Sequence, residues 1–234
     1  MPEFISSDQV IHYELVGATG SASHTPVLML HGNGEDMGIF ADVVPPLMSA
    51  KSFVLMDSRL HGESHPLPGG SELLGYDAIA EDALALMEHL GIFEYDVVGY
   101  SDGGIAALIM AMRSRDIRKL ITIGANITPE GLSSHARREM RTELRRAVET
   151  GDARNAELMR LMLEEPRITT DELASIICEA TIVLGSRDRL ILRKHSERIA
   201  DAIPHGSHLI LRGAGHGIPS THPDALAELI RTLL

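Results

Sequence analysis

The segment 99–104 carries the strongest chemical signal in the chain. It reads Gly-Tyr-Ser-Asp-Gly-Gly and places Ser101 between a predicted strand and a predicted amphipathic helix, which is the context of a Gly-x-Ser-x-Gly nucleophile turn. Glycine at 99 and 103 would let neighbouring backbone approach closely, because glycine has no Cβ. The turn would project the Ser101 hydroxyl from the sheet and direct the N–H groups of the helix N-terminus at a developing anion. The sequence therefore predicts that Ser101 is a nucleophile.

A serine hydroxyl is a weak nucleophile, and two residues further along the chain could activate it. His216 lies in a Gly-Ala-Gly-His-Gly loop after the last predicted strand, and we predict that it is the general base. Asp188 directly follows the preceding strand, where its carboxylate could orient the imidazole and stabilise its charge. Two arginines flank Asp188, so a surface ion pair is the alternative role. Asp201 and Asp224 are weaker candidates, because both fall inside predicted helices.

Two backbone segments could stabilise an oxyanion. The N–H of Asp102 directly follows the nucleophile. The loop 31–34 reads His-Gly-Asn-Gly after a predicted strand, and it could offer the N–H of Asn33. Gly32 would let this loop approach the substrate, so we predict that Gly32, Asn33 and Asp102 bind it. We interpret His31 as a structural residue that holds the loop through hydrogen bonds.

The side chain of Asp102 has two open interpretations, because the predicted N–H donation leaves its carboxylate free. It could be an acidic residue in the first turn of a helix, where it offsets the positive end of the helix dipole. Alternatively, the carboxylate could recognise an amine on the substrate.

Other motifs of the chain do not support a metal or a cofactor. His61 and His65 have the spacing of two ligands on a helix, but Gly62 and the following prolines disfavour a helix there. The pair Gly69-Gly70 lacks the lysine of a phosphate-binding loop. The Gly-x-Gly of the loop 31–34 lacks the third glycine of a dinucleotide fingerprint. We therefore predict that the protein uses neither a metal ion nor a cofactor.

Short apolar runs rich in Val, Ile and Leu alternate with segments of helical period, which predicts a mostly parallel sheet covered on both faces. The first two runs form a predicted antiparallel hairpin. The eight predicted strands are Glu3–Ser6, Val10–Val16, Pro26–Leu30, Ser52–Met56, Tyr95–Gly99, Leu120–Gly124, Thr181–Gly185 and Ser207–Leu211. Between and after them, the residues 78–90, 105–112 and 223–234 show apolar side chains at helical spacing.

The segment 129–180 interrupts this alternation, because it contains no strand-like run. We predict that it forms two or three helices inserted into a core domain made of residues 1–128 and 181–234. Within it, residues 133–148 carry five arginines against two glutamates, although the whole chain has a net charge of −12. The arginines could pair with glutamates on a solvated helix face. Alternatively, the helix could attract acidic substrates or partners.

Composition restricts the class of protein. The 234 residues include 44% hydrophobic and 23% charged residues, a globular balance within the range of a single α/β domain. The acidic net charge argues against nucleic-acid binding, and the apolar runs are too short to span a bilayer. The first fifty residues contain no Lys or Arg, so no targeting peptide is predicted. A single cysteine, Cys178, suits a reducing compartment. We therefore expect a cytoplasmic monomer or homodimer.

These motifs together resemble the α/β-hydrolase fold superfamily along the whole chain. The resemblance rests on the His31-Gly32 loop, the segment 57–64 (Asp-Ser-Arg-Leu-His-Gly-Glu-Ser), the serine turn, and the order Ser101, Asp188, His216. The family's segment usually runs Asp-x-Arg-Gly-x-Gly-x-Ser, so Leu60-His61 departs from it. The string Ser-Asp-Gly-Gly-Ile from 101 is similar to small serine esterases and valacyclovir-hydrolase-like members. The resemblance implies an eight-stranded sheet with helices on both faces and a short helical cap after the sixth strand.

The resulting functional expectation is a serine hydrolase that cleaves carboxylic esters of small to medium acyl substrates through an acyl-enzyme. Thioesters, amides, aminoacyl esters and peptides share this chemistry and stay open. A carbon–carbon bond hydrolase would keep the same three residues, but its aryl substrates suit an aromatic-rich pocket, whereas this chain has four Tyr, four Phe and no Trp. A ligand receptor of this fold with residual hydrolysis is the alternative from a different class.

Overall fold

A computed structural model describes residues 2–17 and 25–234. Nine strands occur in this part of the chain. They are β1 (Glu3–Ser6), β2 (Gln9–Gly17), β3 (Val27–Leu30), β4 (Ser52–Met56), β5 (His65–Pro66), β6 (Tyr95–Tyr100), β7 (Ile117–Ile123), β8 (Glu179–Gly185) and β9 (Gly206–Leu211). All eight predicted strands are present, with ends that differ by up to three residues. The ninth, β5, has only two residues and was not predicted.

The strands form one sheet in the order β1-β2-β4-β3-β6-β7-β8-β9, and β5 pairs with β2. The strands β4, β3, β6, β7, β8 and β9 are parallel, whereas β1, β2 and β5 pair in antiparallel fashion. The carboxyl ends of the parallel strands therefore share one edge of the sheet. We call the loops at this edge the rim (residues 31–36, 57–64, 100–102, 186–191 and 212–217).

Helices follow most of the parallel strands. They are α1 (Tyr76–His89), α2 (Asp102–Arg113), α3 (Ser134–Thr150), α4 (Ala153–Glu164), α5 (Thr170–Leu173), α6 (Arg193–Ala202), α7 (Ile218–Thr221) and α8 (Pro223–Leu233). Short 3-10 turns lie at Met37–Phe40, Pro45–Leu47 and Pro129–Gly131. Within the described ranges, no helix is both long enough and apolar enough to cross a membrane.

Alternation along the strands produces two apolar layers, because successive side chains of a strand point to opposite faces. On β3, Leu28 and Leu30 pack with α1, α2 and α6 on one face. Val27 and Met29 pack on the other face with the 3-10 turn at Met37–Phe40 and with α7 and α8. This arrangement confirms the predicted sheet with helices on both faces.

The regular elements of the predicted insertion are helical until its last two residues, apart from an isolated bridge between Leu132 and Ile191. The turn Pro129–Gly131 and helices α3, α4 and α5 lie between β7 and β8. Strand β8 begins at Glu179, just inside the predicted boundary at 180. We keep the name cap for residues 129–178. Their role as an inserted domain stays a prediction.

Candidate active site

Ser101 lies at a strained turn between β6 and α2. Its φ of 52° and ψ of −115° place a residue other than glycine at positive φ, which is costly unless the surroundings impose it. The two glycines make this turn possible. A Cβ at Gly99 would collide with the carbonyl oxygen of Gly103, and a Cβ at Gly103 would collide with that of Leu30. The turn therefore has the geometry predicted for a nucleophile.

A hydrogen-bonded chain joins the three side chains predicted for nucleophilic chemistry. His216 Nε2 lies 3.1 Å from Ser101 Oγ, and His216 Nδ1 lies 2.8 Å from Asp188 Oδ2. An imidazole protonated at Nδ1 would donate to the carboxylate and accept from the hydroxyl. The structure thus brings together Ser101 and His216, which are 115 positions apart in the sequence.

The Asp188 carboxylate is held from its other side by backbone. Its Oδ1 accepts hydrogen bonds from the N–H groups of Leu190 at 2.7 Å and Ile191 at 2.9 Å, and its side chain is 1% exposed. Gly124 leaves room for the imidazole, because a Cβ at this position would lie 2.7 Å from His216 Cε1. The ring is therefore fixed by a buried acceptor and by a glycine beneath it.

The loop after β3 packs against the serine. A Cβ at Gly32 would lie 3.1 Å from the Ser101 Cβ, so only glycine fits here without a shift. The N–H of Gly103 donates to the carbonyl oxygen of His31 at 3.0 Å, which fastens the base of the loop to α2. Among the described residues, neither Asn33 nor Asp102 donates its backbone N–H to a protein acceptor, so both donors are available at the turn.

His31 holds two segments of the rim together, as its structural interpretation predicts. Its Nε2 accepts the N–H of Ser58 at 2.9 Å, and its Nδ1 lies 2.8 Å from the carbonyl oxygen of Gly32. Burial lowers the pKa of His31 to about 4. A neutral ring protonated at Nδ1 satisfies both contacts.

The segment 57–64 is a second buried polar loop of the rim. The Asp57 carboxylate accepts the N–H of Met37 at 2.8 Å and that of Glu63 at 2.9 Å. Leu60, which stands where the resembled family usually has glycine, adopts a φ of 61°. Leu60 therefore adopts the left-handed backbone conformation that glycine adopts more easily, although it departs from the family pattern.

Arg59 anchors the same segment through an ion pair. Its guanidinium donates to both carboxylate oxygens of Asp82 on α1, at 2.6 and 2.9 Å. The side chains are 9% and 1% exposed, and the Ser6 hydroxyl also donates to Asp82 at 2.6 Å. The pair is therefore bidentate and buried.

The Asp102 carboxylate is bonded to a protein donor. Asn33 Nδ2 donates to Asp102 Oδ2 at 2.8 Å. Burial raises the pKa of Asp102 to about 6, although Asn33 and the nearby Tyr76 hydroxyl act in the opposite direction. The residue is 7% exposed. The carboxylate thus lies beneath the turn with Asn33 as its hydrogen-bond partner.

Sequence reasoning missed two polar residues near the turn, Glu35 beside the serine and Tyr76 beside Asp102. Glu35 Oε2 is buried without a hydrogen-bond partner among the described residues, and a Cβ at Gly32 would lie 2.9 Å from it. Burial raises the pKa of Glu35. Tyr76 begins α1 and is 1% exposed. Neither belongs to a motif, and only the folded arrangement brings them to the turn.

The two histidines considered for metal binding, His61 and His65, each contact a nearby backbone carbonyl. His61 Nδ1 lies 2.9 Å from the carbonyl oxygen of Arg59, and His65 Nδ1 lies 3.0 Å from that of Glu63. In residues 2–17 and 25–234, no group of three or more His, Cys, Asp or Glu side chains could hold a metal ion.

Comparison with known proteins identifies the family. A model of the α/β-hydrolase fold matches residues 25–172, which is more than half of the chain. The chain belongs to the α/β-hydrolase fold family. The resemblance drawn from the sequence is thereby confirmed, and the protein is a hydrolase of this fold.

Individual relatives of this α/β-hydrolase are distant. A Haemophilus influenzae protein with the provisional name esterase/lipase is 24% identical over 90% of this chain and 84% of that protein. The serine hydrolase BPHL of Mus musculus is 29% identical over 96% of this chain and 82% of its own. The structure of an enol-lactonase from Burkholderia xenovorans LB400 superposes with a TM-score of 0.81 at 18% identity, covering 99% of each chain. The structural likeness supports the fold alone.

Proposed function

We propose that this α/β-hydrolase cleaves carboxylic esters of small to medium acyl substrates through a covalent acyl-enzyme on Ser101. The observation that carries the proposal is the hydrogen-bonded chain from Ser101 Oγ through His216 to Asp188, at 3.1 and 2.8 Å. A serine at a strained turn, a base within reach of its hydroxyl and a buried acceptor behind the base are the parts that acyl transfer requires.

In the first half of the reaction, Ser101 Oγ attacks the ester carbonyl and His216 Nε2 takes the hydroxyl proton. Asp188 stabilises the resulting imidazolium through its bond to Nδ1. The N–H groups of Asn33 and Asp102 stabilise the oxyanion of the tetrahedral intermediate. When the intermediate collapses, the bond between the carbonyl carbon and the alcohol oxygen breaks, and His216 gives its proton to the leaving alcohol.

In the second half, water attacks the acyl-enzyme carbonyl while His216 takes a proton from the water. The second tetrahedral intermediate occupies the same oxyanion hole. Its collapse breaks the bond between the acyl carbon and Ser101 Oγ, and His216 returns the proton to Ser101. The products are the carboxylic acid, the alcohol and the free enzyme.

Nitrophenyl esters of increasing acyl length, combined with fluorophosphonate labelling, test this proposal. We expect wild-type turnover and a single label on Ser101, with both lost in Ser101→Ala. Ser175→Ala is a matched control, because its hydroxyl donates to the carbonyl oxygen of Glu172 in the cap and it should behave as wild type. Turnover or labelling that survives in Ser101→Ala would refute the proposal.

Multiple turnover separates an enzyme from a ligand receptor of this fold. A receptor with residual hydrolysis would label once and release product far more slowly than it binds ligand. We expect instead that product accumulates to many equivalents of enzyme. A burst of one equivalent with no further product would favour the receptor.

We further infer a cytoplasmic enzyme that acts on small molecules as a monomer or homodimer. This inference rests on the acidic chain and on its single cysteine, Cys178, which is buried and unpaired. Size-exclusion chromatography with light scattering determines the oligomeric state. An assembly larger than a dimer would contradict the inference.

A further inference from the structure

The two residues that would supply the oxyanion hole are joined by their side chains as well as by their position. Asn33 lies on the loop after β3, and Asp102 lies 69 residues later at the start of α2. The bond from Asn33 Nδ2 to Asp102 Oδ2 measures 2.8 Å. A hydrogen bond to an ionised carboxylate is among the stronger ones in proteins. It therefore links the two segments that carry the backbone donors.

A third element also comes close to this carboxylate. The hydroxyl of Tyr76, the first residue of α1, lies near the carboxylate and acts to lower the pKa of Asp102. In the described residues, no Arg, Lys or His forms a salt bridge with Asp102. The carboxylate thus connects the β3 loop to the nucleophile turn through a neutral donor, with the start of α1 beside it.

This arrangement bears on whether Asp102 binds a substrate amine. Asp102 is 7% exposed, and an ammonium group would have to displace Asn33 to reach it. Displacing a buried donor leaves that donor without a partner, which is costly. The contacts therefore favour an internal role for the carboxylate.

We propose that the side chains of Asn33, Asp102 and Tyr76 form a positioning unit that fixes the oxyanion hole, and that the Asp102 carboxylate does not recognise a substrate amine. The proposal rests on the proposed acyl transfer at Ser101. These side chains act through the backbone donors and do not touch the reacting atoms.

The need for such a unit follows from the loop. The bond from the Gly103 N–H to His31 holds the base of the loop, but Asn33 lies two residues further out. Next to it, Gly34 is exposed and has a φ of 71°. A donor acts on an oxyanion only within about 2.7–3.1 Å, so a small shift of the Asn33 N–H would weaken it. The Asn33 side chain supplies the bond that prevents this shift.

The first test replaces Asn33 and measures hydrolysis of a neutral nitrophenyl ester. Asn33→Ala should lower kcat about 10–100-fold and change KM by less than about threefold, because the donor acts mainly in the transition state. Affinity for a boronic acid that forms a tetrahedral adduct should fall with kcat. Asn155→Ala is the matched control, since the Asn155 amide bonds only to Glu143 in the cap among the described residues.

The second test exchanges the two side chains. Asn33→Asp places two carboxylates together and should lose activity. The double variant Asn33→Asp with Asp102→Asn restores an amide-to-carboxylate bond in the opposite direction. Its kcat should be at least tenfold higher than that of Asn33→Asp alone. Failure of this recovery would count against the positioning unit. Tyr76→Phe should lower kcat by a smaller factor than Asn33→Ala. If the Asn33 variants do not fold, the kcat of Tyr76→Phe provides the test instead.

The third test separates positioning from amine recognition. Asp102→Asn should lower kcat/KM for neutral esters and for aminoacyl esters by the same factor. A loss at least tenfold greater for aminoacyl esters would overturn the proposal, as would Asn33→Ala with unchanged kcat. Wild-type enzyme that hydrolyses no ester would instead refute the proposed function, so the two failures are distinguishable.

Discussion

The rim and the cap use charged and polar groups in different ways. On the rim, the ion pair between Arg59 and Asp82 is bidentate, with side chains 9% and 1% exposed. On the cap helix α3, Arg146 and Glu143 approach at 3.7 Å with side chains 74% and 39% exposed. The same pair of chemical groups is thus buried in one region and solvated in the other.

This difference determines which substitutions should matter. A solvated ion pair contributes little, because solvent screens it and two long side chains lose freedom to form it. Loss of one partner from a buried pair leaves an uncompensated charge. We therefore expect large effects from substitutions on the rim and small effects from substitutions in the charged surface of the cap.

The largest expected effect is on activity at the rim. His216→Ala should lower kcat/KM for esters at least about 10³-fold, because the proposed nucleophile Ser101 would lose its base. The free energy of unfolding should fall by only about 1–3 kcal/mol, because the buried Asp188 loses one partner but keeps the N–H donors of Leu190 and Ile191. Ester kinetics and urea denaturation measure the two quantities. Full activity in His216→Ala would exclude the rim as the site of chemistry.

The next largest effect is on the free energy of unfolding when either ion pair, Arg59–Asp82 on the rim or Arg146–Glu143 in the cap, is broken. Asp82→Asn should lower the free energy of unfolding by about 3–5 kcal/mol, because Arg59 stays buried without its counter-ion. Glu143→Gln in the cap should lower it by less than about 1 kcal/mol. Denaturation midpoints of the two variants provide the comparison. Equal losses would mean that burial does not distinguish rim from cap.

A pH-dependent effect of intermediate size should come from Asp102. Its pKa is about 6 in the folded state, above the ordinary value of 3.8, so the folded state takes up this proton more readily than the unfolded state. The contribution of Asp102 to stability therefore increases as the pH falls through 6 towards 4. Between pH 7.5 and 4, the unfolding free energy of wild type minus that of Asp102→Asn should rise by about 2–3 kcal/mol. A flat difference curve would contradict the prediction.

The smallest effects are expected on the arginine face of the cap. Arg138→Gln and Arg146→Gln should each change the free energy of unfolding by less than about 0.5 kcal/mol. Turnover of neutral esters should stay within about twofold. The same variants should be compared on esters of acidic acyl groups. A tenfold loss confined to acidic esters would show that cap charge attracts substrate, the alternative that the sequence leaves open.

The sequence predicted those parts of the site that depend on local patterns. The turn at Ser101 follows from two glycines between a strand and a helix, and Asp188 and His216 follow from their places after the last two strands. Residues without a local pattern were not predicted. Tyr76 and Glu35 come near the nucleophile turn only because distant segments pack together, and β5 consists of two residues, one of them a proline.

The arginine-rich helix α3 also shows that a local sequence pattern does not predict contacts with distant segments. Helical spacing predicted pairing on a solvated face, and Arg146 does pair with Glu143. Arg137 and Arg141 instead line a cavity with Arg167, and they form no ion pair within the described residues. Spacing along a helix determines which charged side chains can pair on that helix. It does not indicate which charged side chains a neighbouring segment places beside them.

The order of the site residues along the chain has a consequence for biosynthesis. Ser101 follows β6, whereas Asp188 and His216 follow β8 and β9, which are synthesised later. A nascent chain that has completed the cap would hold the proposed nucleophile but neither its proposed base nor the acid that would orient that base. Under the proposed mechanism, hydrolysis would begin only after β8 and β9 have joined the sheet, so the onset of ester turnover would report that late step of folding.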